Sequence, residues 1–476
     1  QRQDDEISLG SEYLNLINDA QAKQIVAQNI SHPDDPVNVA EVTRTFDDHL
    51  TFEKFTLGNE SGYMLSLGYT VDQVGLLYQT DDIADSADAL HESLWQGLTI
   101  KVIDGVEYGA LITDASNGAQ GNIVFVGDQN NGALTLSGEP NTYHGKTWLK
   151  EGANIVFGTD HAFGETEALR VDDRSSVNFG GFDQTLGMIF ASGEGALLST
   201  EDSVLTIGGG LITGANSALR AATSVTGELT INNVHSLGTG AVTLGSNGSN
   251  LIFSGAQGTF ANAFNGISDA SMSFANGADV ILGRTIDNYA GSFSVDGTSA
   301  LALTLTTQAD DVATAFRNEV TVAKGGELSL SGTEGGEVYF GNSSSSIEGG
   351  LEVRNALFDL SRSDNLSVLH EAVLSGGTGS VITVSTAIGP EKLSGLTLGN
   401  GSTLRFETGG TPGQAGQDSS LGHIDLGEGA FNIVNVEGTV TIGVDVSNVN
   451  ADHDVSNLPL TAQDVLDASG NGQLVA

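Results

Sequence analysis

Cysteine is absent from all 476 residues. That excludes a disulfide framework, which a secreted chain of this length does not need where its core is long and repetitive. Proline is scarce too, at 6 residues, so little interrupts the hydrogen bonding of a sheet. No run of about 18 apolar residues occurs, which excludes a membrane-spanning helix. Positive charge is also short. Lysine and arginine number 17 against 60 aspartates and glutamates, a net charge of −43. Such a surface repels nucleic acid and anionic membrane, and both are excluded as partners. Its plainest role is solubility. The opening residues, Gln1-Arg2-Gln3-Asp4-Asp5-Glu6, are polar and form no signal peptide. The chain stops in mid-pattern at Gly470-Asn471-Gly472-Gln473-Leu474-Val475-Ala476. A fragment is expected, with an export signal before it and further sequence after it.

Glycine, by contrast, is abundant, at 64 residues, and from about Val106 onward it punctuates short alternating runs. Ile123-Val124-Phe125-Val126, Ala133-Leu134-Thr135-Leu136 and Asn154-Ile155-Val156-Phe157 are examples. Val204-Leu205-Thr206-Ile207, Leu328-Ser329-Leu330 and Thr403-Leu404-Arg405-Phe406 continue the series. Each places an apolar side chain at every second residue, the period of a half-buried strand. Between them a turn recurs with glycine near its centre, as Glu151-Gly152-Ala153-Asn154, Asn247-Gly248-Ser249-Asn250, Asn276-Gly277-Ala278-Asp279 and Asp296-Gly297-Thr298-Ser299. Glycine and asparagine tolerate the positive φ of such corners. Gly248, Gly277, Gly297 and Gly326 are spaced as one coil of a β-helix of twenty-odd residues would space them. An antiparallel sandwich shares the short strands, but its turns would not keep one local text throughout.

The chain therefore reads as all-β, a right-handed parallel β-helix (solenoid) with a short mixed α/β N-terminal cap. Residues 1–105 form the cap and first rungs, and residues 106–476 the helix proper. In the cap, Ser11 to Gln28 is a predicted helix with Tyr13, Leu14, Ile17 and Ala20 on one face. Ile83 to Trp95 is a second. Alternating stretches fall at 50–55 and 63–67. A terminal rung exposes strand edges and apolar core, so a solenoid needs such a cover.

Catalytic patterns are sought without success. No Gly-x-Ser-x-Gly elbow occurs. His91-Glu92-Ser93-Leu94-Trp95 begins like a zinc-protease helix, but Trp95 stands where the second histidine belongs. Gly376-Gly377-Thr378-Gly379-Ser380 begins like a calcium nonapeptide, but Val381 replaces the required aspartate. Acid pairs at Asp81-Asp82, Asp172-Asp173 and Asp310-Asp311 are what chance gives at this composition. No catalytic residue, metal or cofactor is expected. One concentration of cations and aromatics remains, His144-Gly145-Lys146-Thr147-Trp148-Leu149-Lys150. Alternation puts Lys146, Trp148 and Lys150 on one side, Thr147 and Leu149 on the other. With Leu149 inward, Trp148 between two cations forms a stacking and charge platform for a sugar, including an acidic one. The alternative is a tryptophan lying over a neighbouring coil with solvated lysines. Asp128, Asn130 and Asn131, in the turn just before, add hydrogen-bonding groups for a glycan.

The stretch Gly132 to Gly158 resembles the autotransporter-associated β-strand repeat of bacterial autotransporter (type V secretion) passenger domains. The matching positions are Leu134, Leu136, Gly138, Asn141, Tyr143, Gly145, Thr147, Leu149, Gly152 and Ile155 to Phe157. Asn288, Tyr289, Gly291, Val295, Gly297, Leu301 and Leu303 make a looser copy that lacks one spacer. Pertactin-type adhesins of enteric bacteria are the nearest in character. The resemblance implies export through the outer membrane by a C-terminal barrel that this fragment lacks, and display at the bacterial cell surface. It implies an adhesin and virulence factor that binds host extracellular-matrix glycans or glycoproteins along the helix face. Homotypic self-association in aggregation and biofilm is the alternative binding mode. A polysaccharide-degrading β-helix enzyme is the rival class.

Overall fold

The computed structural model describes residues 132–199, 201–308, 312–407, 422–434 and 439–445. Upstream it describes 49–50, 54–57, 95, 98–102, 104–109, 111–114 and 122–127. The alternating runs are strands, and every pairing between named strands among the described residues is parallel. The protein is a parallel β-solenoid, not a sandwich. The chain divides into two units, residues 1–243 and 244–476.

In the first unit one ladder runs through Leu98–Lys101, Ile123–Val126, Thr147–Lys150, Ala168–Val171, Met188–Ala191, Gly210–Ile212 and Glu228–Ile231. A second runs through His49–Leu50, Val106–Tyr108, Ala133–Leu136, Asn154–Phe157, Ser176–Asn178 and Leu197–Leu198. A third includes Gln184–Leu186, Val204–Ile207 and Ala222–Val225. Register keeps equivalent positions in file. Phe125, Leu149, Val171, Ala191, Ile212 and Ile231 stack one above another, all buried. A one-residue slip would turn that whole file outward, so burial itself enforces the register. Gly210 shows how closely the coils approach. It has φ +120°, and a Cβ there would collide with the Ile189 carbonyl, so no other residue fits.

In the second unit the longest ladder comprises Gln257–Phe260, Asp279–Thr285, Ala300–Leu305, Glu327–Gly332, Gly350–Arg354, Ala372–Gly376, Leu393–Leu398 and Ala430–Ile433. Val280, Leu301, Leu328, Leu351, Leu374 and Leu396 form its inward file. Another ladder takes Asn250–Ser254, Ser271–Ala275, Ser292–Val295, Val320–Val322 and Ser346–Ile347. A third takes Leu357–Asp359, Val381–Val384, Thr403–Glu407 and Thr441–Asp445. Inside, aromatic rings touch in sequence: Phe274, Phe253, Phe260, Phe264, Tyr289, Phe293, Phe316, Phe340 and Phe358. Phe253 and Phe274 are stacked at 4.9 Å, and most of the others meet tilted or edge to face, the arrangements a ring quadrupole favours. Ser363–Val368 is the only α-helix among the described residues.

Buried amides join successive coils. Asn216 Oδ1 accepts the Leu197 amide at 2.9 Å while its Nδ2 donates to the Ser236 carbonyl at 2.8 Å. Asn141 and Gln184 make similar bridges. These bonds satisfy backbone groups at corners where the ladder cannot. The predicted helices at Ser11 to Gln28 and Ile83 to Trp95 lie outside the described residues, Trp95 excepted. What is described of the 50–55 stretch belongs to strands: His49–Leu50 and Lys54–Leu57 pair in parallel with Val106–Tyr108 and Leu111–Asp114.

Candidate functional site

Strand alternation at Thr147–Lys150 sets the site. Thr147 and Leu149 point inward and are buried. The Thr147 hydroxyl bonds those of Tyr143 at 2.6 Å and Thr166 at 3.0 Å, so the polar inward position is satisfied. Lys146, Trp148 and Lys150 lie on the outer side, as the pattern predicts. Trp148 differs from the expected platform in one respect: it is only 2% exposed. The cause is what surrounds it. Trp95, 1% exposed, packs with Val124, Trp148 and Ala168, and Val126 and Phe190 close the edge. Trp95 meets Phe190 edge to face, with centroids 6.0 Å apart.

Register explains the grouping. Val124, Trp148, Arg170 and Phe190 occupy one outward file on consecutive strands. The Arg170 guanidinium lies 4.5 Å from the Trp148 ring centre, and the Lys150 ammonium 4.6 Å from it. Lys146 Nζ lies 5.7 Å from the Trp95 centre. Each such contact is worth about 0.5–2 kcal/mol, more as water is excluded. Trp148 Nε1 donates to Asp172 Oδ2 at 2.8 Å, and Arg170 Nε donates to Asp172 Oδ1 at 2.7 Å. Asp172 is thus held by two donors, and its sequence neighbour Asp173 is exposed. Lys150 is 3.9 Å from Glu151, a loose surface pair of small worth. Three cations ring two indoles on a chain whose charge is otherwise overwhelmingly negative.

Asp128, Asn130 and Asn131 lie outside the described residues, as do Asp81-Asp82, Asp310-Asp311 and His91. Among the described residues no group of three histidines or carboxylates is placed to hold a metal ion. The Gly376 to Ser380 stretch is a corner, with Gly379 at φ +75° and Ser380 Oγ donating to the Gly377 carbonyl at 2.7 Å.

The two copies of the repeat part company at the spacer. In the first, Asn141 is buried and bridges coils through the Ile112 amide and the Ala162 carbonyl, both at 2.7 Å. In the second, Asn288 is exposed. Tyr289 is buried, with its hydroxyl donating to the Ser292 carbonyl at 3.1 Å, and burial pushes its pKa up. Many acids act as corner acceptors. Asp104, Asp160 and Asp183 accept the amides of Ala133, Asp183 and Val204 from the next coil. Asp296 accepts from the Asn276 amide in the preceding coil and from Thr298. Burial raises its pKa, but hydrogen bonds from Ser299, Thr298 and Asn276 outweigh that and bring the carboxyl down to about 2.

A second outer surface differs in kind. On the longest ladder of the second unit, the outward file Ile281, Ala302, Ser329, Glu352, Ser375, Thr397 and Asn432 is dominated by small side chains. Ile281 is 48% and Val373 42% exposed there. Arg170 joins the first site without having been singled out from sequence, and Asp172, noted there only as one of a chance acid pair, joins it as the acceptor of Trp148 and Arg170. The offset of one coil from Trp148 was the signal that could have found Arg170. Trp95 carried no such signal. The chain matches no family model, no curated protein and no solved structure.

Proposed function

We propose that this solenoid is a non-catalytic adhesin, the surface-displayed passenger of an autotransporter, and that it binds acidic extracellular-matrix glycans. The observation that carries the reading is the set of cations on one outer face, with Lys150 and Arg170 over Trp148 and Lys146 over Trp95. On a chain of net charge −43, cations gathered on one outer face give an anionic polymer a local place to land. A repeating coil adds reach, because weak contacts along a long ligand multiply in effect. Passenger status rests on the parallel solenoid and on the likeness of Gly132 to Gly158 to the autotransporter repeat.

The test is binding to a matrix glycan array at two ionic strengths, with the native chain and with Lys146→Ala/Lys150→Ala. Binding to sulfated or uronic-acid glycans that falls with salt and falls at least tenfold in the double variant is expected. Absence of glycan binding at low salt rejects the reading. A second reading is favoured by the outer surface of the second unit's longest ladder, where small side chains predominate and Ile281 and Val373 are exposed: self-association between passengers. It would appear as turbidity that grows with salt, since salt screens the mutual repulsion.

A further inference from the structure

We infer that Asp172 is the positioning residue of the glycan site, and that it strengthens the binding of an anion although it carries a negative charge itself. This rests on the reading of Lys146, Lys150 and Arg170 as that site. Trp148 is buried, so a ligand meets the cations, and the indole is the floor beneath two of them. Lys150 and Arg170 lie 4.6 and 4.5 Å from its ring centre. One carboxylate holds both the floor and a cation that rests on it. Asp172 Oδ2 accepts from Trp148 Nε1 at 2.8 Å, and Oδ1 accepts from Arg170 Nε at 2.7 Å. Arg170 Nη2 adds a longer bond to Oδ2 at 3.4 Å. Trp148 and Arg170 are register partners on adjacent strands. Indole, carboxylate and guanidinium therefore close a ring of contacts, which joins the fork pairing and the aromatic stacking that a planar guanidinium favours.

The mount of the carboxylate is itself fixed. The Asp172 amide donates to the Leu149 carbonyl of the preceding coil at 3.0 Å, and its carbonyl accepts from the Ser175 amide at 3.0 Å. Leu149 and Ser175 are both buried. The side chains of Arg170 and Asp172 are 14% and 30% exposed, which shields the pair more than an open surface contact and makes it harder for water to replace. Groups locked in this way need not be ordered when a ligand arrives, which is the benefit of a pre-organised site.

Charge and positioning predict opposite signs. Asp173, the next residue, is exposed. Replacing either acid by alanine removes one negative charge, and on charge alone either change tightens the hold on an anion. The experiment titrates a heparin hexasaccharide at low salt into the native chain, Asp172→Ala, Asp172→Asn and Asp173→Ala by calorimetry. Circular dichroism and urea unfolding follow the fold. Asp173→Ala should bind about as tightly as the native chain or up to about threefold tighter. Asp172→Ala should bind about fivefold weaker or worse. Asp172→Asn, which keeps one acceptor oxygen, should fall between Asp172→Ala and the native chain. The Trp148 indole N–H is one of two such signals, since the chain has two tryptophans. It should exchange faster with solvent in Asp172→Ala and not in Asp173→Ala. If Asp172→Ala does not fold, Asp172→Asn against Asp173→Ala carries the test by the same difference of sign. Asp172 variants that bind as tightly as the native chain or tighter reject the positioning role, whatever they do to stability, and leave the function standing. No binding by the native chain rejects the function and the positioning role with it.

Discussion

The two units use the same coil and differ in what they set on its outer face. In the first, the rings of Phe125, Phe163, Phe157 and Phe179 touch in the interior beside the aliphatic file Leu149, Val171, Ala191, Ile212 and Ile231, and both tryptophans stand outside among cations. In the second, nine rings from Phe253 to Phe358 fill the interior, and the longest ladder presents mostly small residues outward. Yet both keep parallel pairing and a coil of twenty-odd residues. The second unit pairs Val280 with Leu301, Leu301 with Leu328 and Leu328 with Leu351. Inward positions and backbone bonds hold the coil, which leaves outward positions free to differ. Whatever distinguishes the activity of one stretch from another must be sought on the outside.

Substitutions can sharpen or break this contrast. The largest effect should come from Phe293→Ala, which removes a ring 1% exposed, 5.0 Å from Tyr289 and 6.3 Å from Phe316. A loss of about 3–5 kcal/mol is expected, read by hydrogen exchange across the second unit. Leu229→Ala, at a fully buried aliphatic position of the first unit, should cost somewhat less, about 2–4 kcal/mol. Equal losses would remove the special standing of the aromatic file. Asn216→Ala should cost about 1–3 kcal/mol, because it orphans the Leu197 amide and the Ser236 carbonyl. Asn288→Ala, at an exposed position, should stay within about 0.5 kcal/mol. Urea unfolding of Asn288→Ala beside Asn141→Ala, which orphans the Ile112 amide and the Ala162 carbonyl, tests whether the two repeat copies differ as their asparagines do.

The mildest effect is one of pH. Asp296 has a folded pKa of about 2 against an ordinary 3.8. Its carboxylate therefore stabilises the fold above the ordinary value, and the contribution is lost as pH falls through about 2. Exchange at the Asn276 amide, which Asp296 accepts, should quicken over that window and not above it. Asp296→Asn should flatten the dependence.

Strand positions and facing were legible because alternation is a local property. Val204–Ile207, Leu251 and Leu328 all fall where the pattern put them. Parallel stacking was legible from the repeated corner. Gly248 and Gly277 adopt φ +77° and +79° as that corner demands. Gly297 does not; it is required because a side chain there would press on the Lys324 carbonyl of the next coil, and sequence spacing alone does not separate the two causes. The outward direction of Lys146, Trp148 and Lys150 was legible too. Their cover was not, since alternation says which way a side chain points and nothing about what lies on it. Trp95 arrives from outside the repeat, and no period connects it to Trp148.

The bridging amide of Asn216 has an implication for how the chain takes shape. Its oxygen serves the rung behind, and its nitrogen is answered by the rung ahead. No turn of the coil is complete until its successor arrives, so each finished turn is the mould for the next. Assembly should then advance like a zip from whichever end is seeded first, and a pause at any step would leave a hungry edge facing water.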